Sequence, residues 1–167
     1  MYSKLGIAAL AAAVLTLAFT STPASAAPPE DACATITAAQ VSSIVGVTVG
    51  NGEHVTPTYV KTCTWKPATG AGKGISAVTV SYQPATSFNG AKQMAAMMEA
   101  NSKGKMENSS ASGVGDDAFY TTMGESYTAM LVKKGNVSFK VAIYGAVPPE
   151  KAKAMEKSIA QQVLSKF

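Results

Sequence analysis

Residues 127–133 and 137–144 are two runs of alternating character separated only by Lys134-Gly135-Asn136. A period of two puts Tyr127, Ala129 and Leu131 on one face of an extended segment, and Val137, Phe139, Val141 and Ile143 on one face of the next. So short a glycine-containing connection joins such runs as an antiparallel hairpin. The C-terminal half of the chain is thereby committed to an antiparallel sheet with a covered face.

The remaining segments are read around that hairpin. Thr37 and Gln40 form a capping box, Val41, Ile44 and Val45 keep helical spacing, and Gly46 can close the helix. Residues 47–49 and 54–60 are expected to be extended around Gly50-Asn51-Gly52, with Pro57 placing the second at an edge or interruption. Residues 62–66 form a strand on which Cys63 and Trp65 share a face. Residues 67–74 form a loop, and 75–82 a strand with Val78, Val80 and Tyr82 on one side. A second helix runs from Ser87 to about Ser102, with Phe88, Ala91, Met94, Ala95 and Met98 as its buried stripe. One further strand lies over 106–110 or 118–122. The last helix starts at Pro148-Pro149-Glu150 and buries Ala152, Met155, Ile159, Val163 and Phe167. Hairpins dominate and no crossover has to be assumed. The expected class is α+β: a twisted antiparallel sheet with helices packed on one face.

The N-terminus decides the compartment. Lys4, the apolar run from Leu5 to Phe19, and Pro23 followed by Ala24-Ser25-Ala26 have the form of a signal peptide over residues 1–26. The run is too short and alanine-rich for a membrane span, so no span is expected after cleavage. Residues 27–32 then form a flexible lead-in, and 33–167 a single domain, secreted or periplasmic. Without Lys4, 13 lysines face 10 acidic residues, a net charge of +3, and the chain contains no arginine. Arginine is the usual bidentate grip on phosphate and base edges, and these lysines form no dense stripe. Nucleic acid is therefore not an expected partner, and no cofactor is expected outside the cytoplasm.

Cys33 and Cys63 are the two cysteines. In an oxidising compartment a pair is most simply one disulfide, with a thiol nucleophile or a metal pair as the alternative, although no CxxC spacing supports it. Glu30-Asp31-Ala32 does not suit lipid attachment at Cys33.

Catalytic and metal chemistry find little footing. His54 is the sole histidine, and a small exported hydrolase would have to combine it with Asp116 or Asp117, yet no G-x-S-x-G occurs. Gly70-Ala71-Gly72-Lys73-Gly74 has the wrong spacing for a phosphate loop and lacks its Ser or Thr. The adjacent acids Asp116 and Asp117 lack the spacing of a calcium loop and read as a turn entering a strand. Met94, Met97 and Met98, with Met106, Met123, Met130 and Met155 elsewhere, admit a periplasmic carrier of a soft metal such as Cu(I). Their helical spacing reads first as core filler. Trp65, Tyr59, Tyr82 and Tyr127 are the candidates for an aromatic binding surface.

Three local patterns carry a resemblance: Cys33-Ala34-Thr35-Ile36-Thr37 ahead of the first helix, Cys63-Thr64-Trp65 on a strand, and Gly113-Val114-Gly115-Asp116-Asp117-Ala118-Phe119. Together they resemble small exported bacterial domains of unknown function, including those of actinobacterial cell-envelope lipoproteins, whose outline is β-lactamase-inhibitor-like. The resemblance implies a Cys33–Cys63 bridge and an α+β domain, and offers no catalytic residue to carry over. The expectation is an exported, non-enzymatic binding domain whose partner is a protein or small molecule of the cell envelope.

Overall fold

The computed structural model describes residues 29, 31–68 and 74–167; the leader expected over 1–26 and most of the loop expected over 67–74 lie outside them. After a short 3-10 turn at Ala32–Ala34 come α1 (Ala38–Val45), β1 (Glu53–His54), β2 (Thr62–Trp65) and β3 (Ile75–Pro84). They are followed by α2 (Ser87–Asn101), β4 (Met106–Ser110), β5 (Asp117–Met123), β6 (Tyr127–Lys134), β7 (Val137–Gly145) and α3 (Pro149–Leu164). The strands form one antiparallel sheet in the order β1-β2-β3-β7-β6-β5-β4, so the class is α+β.

The hairpin that anchored the sequence reading is β6–β7, closed by Lys134 opposite Val137. Both candidate segments for the further strand are strands, β4 and β5, paired from Met106–Met123 to Ser110–Phe119. The expected extended run over 54–60 is only β1; beyond His54 the backbone turns, because Pro57 has no N–H to give a ladder. Helix α1 has its full capping box: Thr37 Oγ1 accepts from Gln40 N at 3.2 Å and Gln40 Oε1 accepts from Thr37 N at 2.9 Å. Gly46 ends it in the left-handed region at φ 72°, where a side chain would be strained.

The structure corrects the expectation in two linked respects. Alternating antiparallel pairs from β3 through β7, β6 and β5 make β3 and β4 point the same way, four places apart. The chain therefore does make a crossover, and α2 carries it. Helices consequently lie on both faces of the sheet, not one. On the first face, Val80, Tyr82, Met130, Val132, Phe139, Val141 and Ile143 pack with Val41 of α1 and Ile159 and Val163 of α3. On the second, Phe119 of β5 and Leu131 of β6 meet Phe88 and Ala95 of α2 together with Met106. Neighbours such as Leu131 and Val132 thus enter different cores, as period-two geometry requires. Each fully buried Val, Leu, Ile or Phe contributes about 1.5–3 kcal/mol of transfer free energy.

One carboxyl group lies within the first core. Glu156 of α3 is fully buried, with Oε1 accepting from Ile143 N at 3.2 Å and Oε2 unpaired. Burial pushes its carboxyl up to about 9, so at neutral pH it is held as the uncharged acid.

Candidate functional site

Helix α2 stands against the β4–β5 side of the second face and is pinned there at several points. The Phe88 and Phe119 rings meet edge-on with centroids 5.6 Å apart. Lys92 Nζ reaches both oxygens of Asp117, at 3.0 and 2.9 Å. Asn108 of β4 donates from Nδ2 to the Ala95 carbonyl at 2.8 Å and to Glu99 Oε2 at 2.9 Å, while its backbone N–H donates to Glu99 Oε1 at 3.1 Å. These bonds, the side-chain one first, hold the Glu99 carboxyl below its ordinary range.

Pinned on that side, α2 leaves a groove over the middle of the sheet. It has a volume of about 460 Å³, within the span usual for small-molecule sites. Met94 and Met98 form its helical wall, and Met106, Met123, Tyr127 and Tyr144 line its sheet side. The Tyr127 and Tyr144 rings are tilted against each other with centroids 5.0 Å apart, and burial pushes the Tyr127 hydroxyl up to about 12. Met94, Met98 and Met123 are 62%, 48% and 45% exposed, so these apolar side chains face solvent rather than core. Ser81, Gln83 and Lys140, from β3 and β7, supply polar atoms, and the lining contains no carboxylate. Lys140 is its one charged residue.

Of the expected surface aromatics, Tyr127 alone lines this groove. Trp65 is 1% and Tyr82 4% exposed, on the face that packs against α1, α3 and the N-terminal segment, so neither belongs to a binding surface. Tyr82 instead meets Phe139 and Phe167, at 6.0 and 6.2 Å between centroids. Its hydroxyl has no good hydrogen bond and is pushed up to about 12 by burial; Thr35 opposes that shift but gives its proton to the Ala32 carbonyl at 2.7 Å. Tyr59 is exposed in the turn after β1, away from the groove lining. The methionine stripe is corrected likewise, since Met94 and Met98 are groove wall and not core filler.

The hydrolase constellation is not assembled. His54 on β1 and Asp117 at the start of β5 are five strands apart in the sheet, about 24 Å at the usual spacing. Asp117 is tied to Lys92, and Asp116 accepts from Gly135 N at 2.7 Å and Lys134 Nζ at 2.8 Å, which clamps the β6–β7 turn. Those contacts, the Gly135 bond foremost, hold the Asp116 carboxyl below its ordinary range. The glycines before it have a structural purpose: Gly115 sits at φ 63°, and a Cβ there would strike the Lys133 carbonyl.

His54 has a different acid. Its Nε2 lies 2.8 Å from Asp31 Oδ1, the oxygen that also accepts from Cys33 N at 2.7 Å. The bond to His54 is the main reason that the Asp31 carboxyl lies below its ordinary range. Donor atoms of Asp31, Cys33 and His54 fall within 4.8 Å of one another, as in a metal site. Cys33 is bonded to Cys63, with Cα atoms 5.0 Å apart, so its sulfur is no thiolate and two ligands remain.

Lys140 escaped a site reading based on sequence, whereas Met123 entered it only as a soft-metal candidate. The signal for Lys140 was visible as the one charge inside a strand otherwise apolar from Val137 to Ile143 save for Ser138. No family model, curated protein or solved structure matches this chain.

Proposed function

We propose that this is an exported, non-catalytic binding domain whose site is the groove between α2 and the second face of the sheet, and whose ligand is a single apolar chain. The observation that supports it is the exposure of Met94, Met98 and Met123 together along one concave, largely apolar surface. Flexible thioethers accommodate apolar ligands of varied shape, and a contiguous exposed apolar patch marks a place of contact. The Cys33–Cys63 bridge fits an oxidising compartment, and no helix among the described residues is long and apolar enough to cross a membrane. The test is a titration with the neutral dye phenylnaphthylamine, which brightens in apolar surroundings. The expected result is saturation at one site, weakened about tenfold or more by Met98→Glu, which puts a charge on an exposed wall position. Absence of saturable binding, or indifference to Met98→Glu, overturns the reading.

A second reading has its own support, because four thioethers (Met94, Met98, Met106 and Met123) line the same groove. Such ligands suit Cu(I). Retention of Cu(I) against a competing chelator, lost in a Met94→Leu/Met98→Leu variant, is the result that reading requires; no retention by the unaltered protein removes it.

A further inference from the structure

Lys140 projects from β7 on the groove face, opposite Ser81 of β3 and Leu131 of β6. It is half-buried, and its ammonium makes no hydrogen bond or ion pair among the described residues. Lys92, Lys134 and Lys153 each have a carboxylate oxygen within 2.9 Å, whereas Lys140 has none among the described residues; unlike Lys133 and Lys157, which also have none, it lines the groove. An ammonium on the wall of an apolar groove with no acid in the lining is a charge without a counter-charge. Held partly out of water, it attracts an anion more strongly than a freely solvated lysine does.

The polarity of the groove is also graded along the strands. Lys140 has Ser81 and Gln83 near it on the neighbouring strand, whereas Tyr144, four residues further along β7, pairs with Tyr127, which in turn pairs with Met123. At the usual strand rise those two rows are about 13 Å apart. One end therefore carries a cation beside a hydroxyl and an amide that are already bonded to Thr62 and Ser138, at 2.7 and 3.3 Å, and the other carries tyrosine rings and thioethers. A molecule that matches both ends has an anionic head and an apolar tail.

We infer that the groove binds a long-chain fatty carboxylate, with its head at Lys140 beside Ser81 and Gln83 and its tail running toward Tyr127, Tyr144 and Met123. This rests on the groove being the binding site, and it names the chemistry of the ligand. The carboxylate accepts from Lys140 Nζ, and the methylene chain replaces water against the methionine wall.

Displacement of phenylnaphthylamine by hexadecanoate and by hexadecanol, both below their aggregation limits, separates head from tail. The unaltered protein is expected to prefer hexadecanoate by about tenfold, the worth of one charge-assisted contact. Lys140→Gln is expected to abolish that preference while leaving hexadecanol within about twofold, since Lys140 holds no partner whose loss would disturb the fold. Equal displacement by the two ligands, or a preference that survives in Lys140→Gln, overturns the carboxylate assignment and leaves the groove as an apolar site. Failure of both ligands to displace the dye overturns the fatty-chain inference and the apolar-chain reading beneath it. Dye binding that is itself absent removes the groove reading at its base.

Discussion

Asn108 on β4 and Glu99 on α2 are joined by two hydrogen bonds, one from the amide Nδ2 at 2.9 Å and one from the backbone N–H at 3.1 Å. This pairing fixes where the second half of α2 stands, and so fixes the width of the groove. Asn108 is saturated, since its Oδ1 also accepts from Thr121 Oγ1 at 2.7 Å and its Nδ2 serves the Ala95 carbonyl.

Asn108→Ala removes the side-chain part of that network and leaves Glu99, Thr121 and the Ala95 carbonyl short of partners. A loss of about 1–3 kcal/mol in denaturant unfolding is expected, with faster amide exchange confined to the second half of α2. Unchanged exchange in that segment would mean that the helix is positioned by its apolar contacts alone.

Glu156 gives a pH dependence of unusual direction. Its carboxyl lies near 4.5 when unfolded and is raised to about 9 in the fold, so the folded state holds a proton that the unfolded state gives up. The stability associated with the neutral acid is complete below about pH 4.5, declines as pH rises, and is lost by about pH 9. By pH 7 the cost reaches about 3 kcal/mol. Glu156→Gln has no proton to lose and is expected to flatten this decline, with its denaturation midpoint exceeding that of the unaltered protein by a margin that grows up to about pH 9. Parallel pH profiles for the two proteins would show that Glu156 does not titrate in this way.

The Cys33–Cys63 bridge spans 30 positions and ties the N-terminal turn to β2. Closing a loop of that length is worth about 3–4 kcal/mol in the chain-entropy account. Reduction, or the paired change Cys33→Ser/Cys63→Ser, is expected to lower the unfolding free energy by that amount. An unaltered midpoint under reducing conditions would remove the bridge from any role in stability.

Much of the frame was legible in the residues, and the failures share a cause. The hairpin through Lys134-Gly135-Asn136, the Thr37–Gln40 cap and the α3 stripe through Ala152, Ile159 and Val163 all stand as local pattern requires. Local pattern is silent about a seam such as β3–β7, and hence about the crossover that carries α2 to the second face. Periodicity also counted only apolar side chains. On α2 the face toward the sheet runs through Phe88, Ala95 and Glu99, and the last of these is held by Asn108 rather than by burial. With Glu99 left out, the stripe was drawn through Met94 and Met98, which line the groove instead. Trp65 and Tyr82 misled in the opposite sense. An aromatic on a strand reads equally well as surface or core, and the covering by α1, α3 and the disulfide-tethered segment decided for core.

The seam between β3 and β7 joins Val80 to Val141, 61 positions further on. A ribosome delivers the N-terminus first, so β3 waits with one edge bare until β7 has been made. Bringing such distant segments together carries an entropic cost before any reward, which delays closure of the sheet until β7 is available. Until that strand arrives, the bare edge of β3 is open to pairing with another chain.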